Sequence, residues 1–467
     1  MRDQSFRGHV QNLEQQGELV RVEKPASPTD NISAIGWKTY DQFGKSTLFT
    51  NIVGFPGWRI ASQVITDRRK WAIGLGVSED EVIPTVVQRI KEPLEPVLIE
   101  ANEAPVKDII LTGDDADLTK LPAMWTSEND PGPYIAAGMA VIKDPETGTR
   151  NMSYHRQQIL GPDRSGFLIC PRHALRTYQK YQALTQPMPV AMVIGVHPAI
   201  LYAGGFTTRY GIDELSLAGG LLEDPVRLVK CETSDLEVPA DAELIIEGEI
   251  LPDEMTEEGP FGEVTGGYAE EGSTEVFVVK AITHRKDPIF YGMHSGAPMT
   301  DPQSITGTCI EAALFEHLSK VEGGMDLSDV RCLGVSGLMA VIIKIRPKSA
   351  GQAKTALMAA LSSPYLHPKL AIAIDDDMDI ANLNQIFWSL TTRVDAAKDV
   401  SKINNTRIWS LDNVSDIVPG MSPMYRIGTK VAIDATKPWS ARLKDKARFD
   451  RAMPKNYYSV KIEDFLP

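Results

Sequence analysis

The sequence predicts a mixed α/β (α+β) protein in three parts. These are a small N-terminal α/β unit over residues 1–105, a strand-rich central part over 106–299, and a C-terminal α/β part over 300–467. Three observations lead there. At 467 residues the chain is longer than one hydrophobic core usually serves. Helical and strand periods alternate at both ends of the chain. Between them, apolar-alternating runs follow one another with turn residues in the gaps, as in a partly closed antiparallel barrel.

In the N-terminal unit, Phe6, Val10 and Leu13 share one helical face and Gly17 can end that helix. Glu18 to Val22 reads as a strand. Residues 48–64 read as strand pieces around a Gly-Phe-Pro-Gly turn at Gly54 to Gly57, and Val82, Val86 and Ile90 mark a second helix. In the central part, 135–142 and 150–160 flank a turn at Pro145 to Gly148 and read as a hairpin. Helices are predicted over 173–183 and 214–222, and strands over 190–196, 242–250 and 276–282. In 242–250 the even positions are apolar or Gly, and Glu243, Glu247 and Glu249 alternate with them, as on a half-exposed strand. In the C-terminal part, helix 305–318, strand 338–345, helix 352–361 and strand 369–374 alternate. A helix follows with Ile380, Leu383, Phe387 and Leu390 on one face. The stretch 439–467 has little to pack on itself, as in tails that lie on a neighbouring domain or subunit.

Bulk properties exclude several classes. The formal net charge is −14, from 48 Lys and Arg against 62 Asp and Glu, so nucleic acid and anionic membranes are not expected partners. Cys170, Cys231, Cys309 and Cys332 form no CxxC or Cys/His cluster, which excludes a zinc-thiolate site or disulfide framework. The polar start and the absence of an apolar run of roughly 18–20 residues predict a cytoplasmic protein.

Four stretches can carry chemistry. Glu258 and Glu263 flank Gly259-Pro260-Phe261-Gly262, where a forced bend can aim two carboxylates at one point. Arg156 closes the stretch Asn151-Met152-Ser153-Tyr154-His155-Arg156. An arginine inside a strand needs a partner, whether a substrate carboxylate or a structural one. Residues 151 and 156 are an odd distance apart, so a regular strand points them to opposite faces. Serving one site would require a break or a bulge. His173 follows Arg172 at a helix start, where it can ligate a metal, meet a phosphate or simply pack. Glu214 sits in a first helical turn. With Asn151 and His173 it makes an O, N, O donor set suited to Mn²⁺ or Mg²⁺. No dinucleotide or P-loop glycine pattern is present.

Taken together these segments resemble the UbiD family of prenylated-FMN-dependent decarboxylases. The resemblance runs over nearly the whole chain, through residues 13–22, 151–158, 231–233, 238–240, 258–263, 374–380 and 430–439 in the family's order. It implies a central split β-barrel flavin-binding domain and a C-terminal oligomerisation domain. It implies a catalytic Glu–Arg–Glu network of Glu258, Arg156 and Glu263. It also implies Asn151, His173 and Glu214 as ligands of a Mn²⁺ ion on the flavin phosphate, with K⁺ nearby. Ser153, Tyr154, His155, Arg156, Arg172 and Lys369 join these as cofactor contacts. The cofactor would be prenylated FMN supplied by a separate flavin prenyltransferase, and the enzyme a homodimer or higher homo-oligomer. The substrate would be an aromatic, heteroaromatic or α,β-unsaturated carboxylic acid. Met293, His294 and Met299, within 291–301, and Met424, within 420–425, are expected to line its pocket, since methionines suit a flat apolar ring. Two other readings stay open: a metal-dependent hydrolase without flavin, and a non-catalytic flavin-binding protein.

Overall fold

The computed structural model describes residues 2–269, 272–296, 299–421, 424–440, 446–457 and 459–465. Residues 297–298 and 422–423 of the two expected pocket stretches lie outside the described residues, as do 441–445, 458 and 466–467 of the tail.

The N-terminal unit builds a four-stranded sheet flanked by helices. Ser5 accepts a hydrogen bond from the Gly8 amide and so caps α1 (Phe6–Gln15), whose Phe6, Val10 and Leu13 are buried. β1 (Leu19–Val22) follows, then α2 (Ile32–Phe43), β2 (Ser46–Phe49), β3 (Arg59–Ser62), α3 (Arg68–Leu75) and α4 (Val82–Arg89). The pattern did not predict α2 or α3. Only Ile32 and Gly36 of α2 are buried, so it shows little periodicity.

The central part starts with β4 (Val97–Leu98), β5 (Ile109–Thr112), β6 (Tyr134–Ile135), β7 (Met139–Lys143) and β8 (Arg150–Tyr154). β9 (Gln157–Ile159), β10 (Arg164–Phe167) and α5 (His173–Ala183) come next. β7 and β8 pair as the expected hairpin, but the strand predicted over 150–160 breaks at His155–Arg156. Then come β11 (Met188–Ile194), α6 (Pro198–Gly205), α7 (Glu214–Leu222), β12 (Arg227–Lys230) and β13 (Glu237–Pro239). β14 (Leu244–Glu258), β15 (Phe261–Gly262), β16 (Tyr268–Ala269), β17 (Gly272–His284) and β18 (Ile289–Tyr291) complete this part. α6 is buried all round, so no amphipathic period marks it in the sequence. β14 runs eight residues beyond its predicted end, as an arm paired with β17 across a register shift.

The described residues place nine of these strands in one sheet, ordered β6-β9-β10-β17-β14-β11-β7-β8 with β5 beside β17. β18 leaves it and pairs in parallel with β3, so the N-terminal sheet takes its fourth strand from residue 289 onward. One hydrophobic core accordingly runs from Phe6 through this sheet to Ala312.

The C-terminal part comprises α8 (Asp301–Ser319), β19 (Leu327–Cys332), β20 (Ala340–Ile345), α9 (Gln352–Leu361) and β21 (Leu370–Asp375). α10 (Leu383–Thr392), α11 (Ala396–Asp399), β22 (Val400–Ile408), β23 (Asp416–Ile417) and β24 (Arg426–Asp434) follow. Its sheet has the order β19-β20-β21-β24-β22. Alternation divides its apolar residues between two faces. Val341, Ile343, Ala371 and Ala373 join the core with α8 and α9, while Ile342, Ile372 and Ile374 join the core with α10. The tail first folds back on its own C-terminal part. Arg393 donates to the Phe449 carbonyl at 2.7 Å, and Lys437 pairs with Asp450 at 2.5 Å. Beyond that, Tyr457, Val460, Ile462 and Phe465 are exposed. No helix among the described residues is long and apolar enough to cross a membrane.

Candidate active site

Arg156 stands in the break between β8 and β9. That break resolves the parity conflict between Asn151 and Arg156: the chain is not a regular strand there, which corrects the expectation of an arginine inside one strand. His155 shapes the break. Its amide donates to the Gly138 carbonyl at 3.1 Å, and its Nδ1 lies 2.8 Å from the Leu168 carbonyl. A carbonyl only accepts, so Nδ1 carries the proton and Nε2 accepts from Ser153 Oγ at 3.0 Å. The ring stacks on Phe167 at 4.8 Å, and burial pushes its pKa down to about 4, leaving it neutral.

Glu258 is the last residue of β14. The chain then turns at Gly259, whose φ of +105° is open to glycine and strained for other residues. The short β15 follows, and Glu263 comes directly after it. The turn brings both carboxylates to one guanidinium. Arg156 Nε and Nη2 grip the two oxygens of Glu258 at 2.7 and 3.0 Å, while Nη1 donates to Glu263 Oε1. The guanidinium lies 4.6 Å over the Phe261 ring, which itself contacts Tyr134 at 4.6 Å. All three charged groups are largely withdrawn from water, with Glu258 and Glu263 6% and 9% exposed.

One cation faces two carboxylates, so the cluster resists double ionisation. The two carboxylates are held differently. Glu258 takes the two-pronged grip. Burial raises the pKa of Glu263 despite the attraction of Arg156, and the Glu258 charge adds to the rise. The pKa of Arg156 is itself raised: burial opposes its charge, but the hydrogen bond to Glu258 and the charge of Glu263 outweigh it.

On the other side of the break, Asn151 and Ser153 share one face of β8. Asn151 Nδ2 donates to Glu214 Oε1 at 3.0 Å, and Glu214 also accepts from the Met152 amide at 2.8 Å and Thr208 Oγ1 at 3.0 Å. Burial pushes the Glu214 carboxyl up to about 7. Asp213 caps α7 by accepting from the Leu215 amide, which fixes where Glu214 begins the helix. His173 is the first residue of α5 and lines the same cleft as Asn151, together with Asp144, Arg150 and Tyr210. Its pKa is lowered by burial and by Arg172 and Arg176. Arg172 is exposed and donates to Thr207 Oγ1 at 3.0 Å. Among the described residues no three His, Cys, Asp or Glu side chains cluster as metal ligands. The predicted donor set contains only two residues of those types, His173 and Glu214, beside Asn151.

The Tyr154 side chain points to the opposite face of β8 from Asn151, and its hydroxyl donates to the Leu201 carbonyl of α6 at 3.1 Å. Strand alternation puts it there. Lys369 Nζ is bound by both oxygens of Asp412 at 2.9 Å. Met293 and His294 follow β18 and are buried. His294 stacks on Trp37 at 5.6 Å, and neither of its buried ring nitrogens has a hydrogen-bond partner among the described residues. Burial pushes its pKa down to about 4. Met299 lies against Gly334 of the C-terminal part, and Met424 is half-buried.

Residue patterns missed several supports. Asp130 accepts from the Gly262 amide at 2.9 Å and holds the bend in place. Phe261 and Tyr134 form the floor beneath Arg156. Asp144, in the β7–β8 turn, accepts from Lys180 at 2.6 Å, from the Tyr210 hydroxyl, and from the amides of Glu146 and Thr147. Its Asp-Pro-Glu-Thr-Gly turn was the one available signal. Burial opposes the Asp144 charge, but Lys180 and the other donors win and hold its pKa down to about 2, against an ordinary 3.8. A carboxyl whose folded pKa is depressed stabilises the fold above its unfolded pKa, and that contribution is lost as pH falls through the folded value. Asp144→Asn is therefore expected to cost about 2 kcal/mol at pH 7. The deficit should close between about pH 4 and pH 2 in a series of urea midpoints.

Comparison with known proteins gives consistent matches. Three family models match in order: the 3-octaprenyl-4-hydroxybenzoate carboxy-lyase N-terminal domain over residues 10–90, its Rift-related domain over 97–298 and its C-terminal domain over 303–435. Among solved structures, the chain is similar to the UbiD-class enzyme HmfF from Pelotomaculum thermopropionicum in complex with FMN. Identity is 33% and the TM-score 0.90, with 99% of this chain and 100% of that one covered. An evolved dimeric form of that enzyme in complex with prFMN matches at 32% identity and a TM-score of 0.87, with 99% and 100% covered. The 3,4-dihydroxybenzoic acid decarboxylase of Klebsiella pneumoniae matches at 27% identity and a TM-score of 0.89, with 99% of each chain covered. With these matches running from end to end, the chain belongs to the UbiD family and is an enzyme of the carboxy-lyase (decarboxylase) class.

Proposed function

We propose that this decarboxylase is a reversible, non-oxidative enzyme acting on an aromatic, heteroaromatic or α,β-unsaturated carboxylic acid with prenylated FMN. The observation that carries the reading is the buried Glu258–Arg156–Glu263 cluster. Three of the five guanidinium N–H groups are used within it, which leaves two donors for a substrate carboxylate. Glu258 keeps Arg156 oriented. Glu263, whose pKa burial raises, takes up a proton after CO₂ leaves and delivers it to the carbon that lost CO₂. Loss of CO₂ from an sp² carbon leaves a carbanion, and prenylated FMN, when bound, supplies the electron sink.

The residues present fit that cofactor. α5 opens at His173 with basic Arg172 and Arg176 beside it, as suits a phosphate at a helix N-terminus. An amide oxygen, an imidazole nitrogen and a carboxylate oxygen from Asn151, His173 and Glu214 suit Mn²⁺, and K⁺ is part of the same reading. Ser153 and His155 hold the strand end beside them. In this reading the nine-stranded sheet is a split barrel that receives the flavin. The chain divides near residues 105 and 299, the C-terminal part carries a homo-oligomeric contact, and the enzyme is cytoplasmic. The exposed tail residues Tyr457, Val460, Ile462 and Phe465 support the oligomer. His294 is assigned to the substrate: two buried ring nitrogens with no partner among the described residues are costly unless a ring hydroxyl or heteroatom satisfies one of them.

Co-expression with a flavin prenyltransferase tests the reading. The purified protein is expected to be coloured, to carry prenylated FMN, and to exchange ¹³CO₂ into 3,4-dihydroxybenzoate, 2-furoate or cinnamate. A colourless protein that binds Mn²⁺ and hydrolyses an ester would support the hydrolase reading instead. Bound flavin without exchange into any acid would support a non-catalytic flavoprotein.

A further inference from the structure

We infer that the C-terminal part of the chain sets the position of Glu263, with Gln303 and Gly337 as its positioning residues. The inference rests on the proposed role of Glu263 as proton carrier. Arg156 and Glu258 hang on the central sheet, one at the break after β8 and the other at the end of β14. Glu263 follows β15, which Asp130 holds through the Gly262 amide, and carries a second support. It opens a tight turn in which its amide donates to the Gly267 carbonyl at 2.8 Å and the Gly266 amide donates back to its carbonyl at 2.9 Å. Three contacts bind this turn to the C-terminal part. Val264 packs against the core formed by α8, α9, β19 and β20. The Val264 carbonyl accepts from Gln303 Nε2, in the first turn of α8, at 2.7 Å, and Gln303 is 1% exposed.

The third contact is backbone against backbone. A Cβ at Gly337 would lie 2.7 Å from Thr265 Cα and 2.9 Å from its carbonyl oxygen. Gly337 also has a φ of +61°. Two separate requirements therefore select glycine here, a left-handed backbone and close approach to the turn that bears Glu263. The Glu263–Arg156 pair is thus the place where the cluster crosses from the central sheet to the C-terminal part of the chain. A small displacement of the C-terminal part moves Glu263 relative to Arg156 and leaves Glu258 in place. Reacting groups misplaced by about 1 Å lose on the order of a hundredfold in rate.

Two variants of the full-length chain test this. Gln303→Glu keeps the oxygen that accepts from the Thr300 amide at 2.9 Å, an arrangement glutamate also makes at this helix position, and removes the donor to Val264. Gly337→Ala adds the colliding Cβ. Amide hydrogen exchange over residues 264–267 is expected to speed up by about tenfold in both, with α5 unchanged. In the flavin-loaded enzyme, kcat on whichever of 3,4-dihydroxybenzoate, 2-furoate or cinnamate the wild type turns over is expected to fall by about tenfold or more with KM held. The solvent deuterium isotope effect on kcat should rise, because proton delivery becomes slower. A smaller folded fraction would leave that isotope effect unchanged. Unchanged exchange in both variants, or a lower kcat with an unaltered isotope effect, overturns the inference. If the wild type turns over none of the acids, the functional reading fails, and hydrogen exchange still decides the docking. If Gly337→Ala does not fold, Gln303→Glu carries both readouts.

Discussion

Glu263→Gln is expected to lower turnover by about 10²–10⁴-fold while folding and flavin content stay at wild-type levels. Glutamine has the same shape and keeps an oxygen for Arg156, so the turn over residues 263–267 is undisturbed. What it lacks is a proton that comes and goes. Removing one of two carboxylates that share one guanidinium also relieves a repulsion, so no large loss of stability follows. The rate in the wild type should carry a matching pH signature. Burial places the Glu263 pKa above the ordinary carboxyl value, and proton delivery needs the protonated form. The rate should fall as pH rises through that raised pKa. Steady-state kinetics across pH check this, and full activity in the glutamine variant would remove Glu263 from the mechanism.

Arg156→Ala is expected to cost about 3–5 kcal/mol of stability as well as turnover, because it leaves two buried carboxylates without their cation. Taking away one partner of a buried pair is more harmful than never having built the pair. Arg156→Lys separates the two effects. It keeps the charge and recovers part of the stability, but an ammonium cannot grip Glu258 through two nitrogens and still present donors to a substrate carboxylate. Denaturant midpoints should therefore rank wild type above lysine above alanine, with both variants deficient in turnover. A lysine variant with wild-type kcat/KM would mean that the planar, two-pronged geometry is not used.

Much of the fold is legible in residue order because it is local. α5, α7 and α9 begin and end where the pattern places them, since capping residues, glycine and apolar spacing act within a few residues. α6 was not legible. A helix buried on every side has no polar face; α7 is as fully buried, but Asp213 and Glu214 mark its start, and α6 has no such acidic start. The fourth strand of the N-terminal sheet was hidden for another reason. β18 comes more than 200 residues after β3, and no local rule pairs strands that far apart.

The candidate site divides in the same way. The sequence alone determined which residue types stand together: two carboxylates on a glycine–proline bend, an arginine five residues after an asparagine, and a histidine and a glutamate each at a helix start. Those are matters of covalent order and local conformation. Only the tertiary structure decided how they meet. It broke the strand at His155–Arg156 and turned the guanidinium to Glu258 and Glu263. It tied the Tyr154 hydroxyl to the Leu201 carbonyl of α6 and the Lys369 ammonium to Asp412. It also placed Glu258 at the end of a central strand and tied the turn that opens with Glu263 to Gln303 and Gly337 of the C-terminal part. The reason is physical. Which groups share a low-dielectric space depends on packing between elements distant in the chain, and that packing sets both their geometry and their proton affinities.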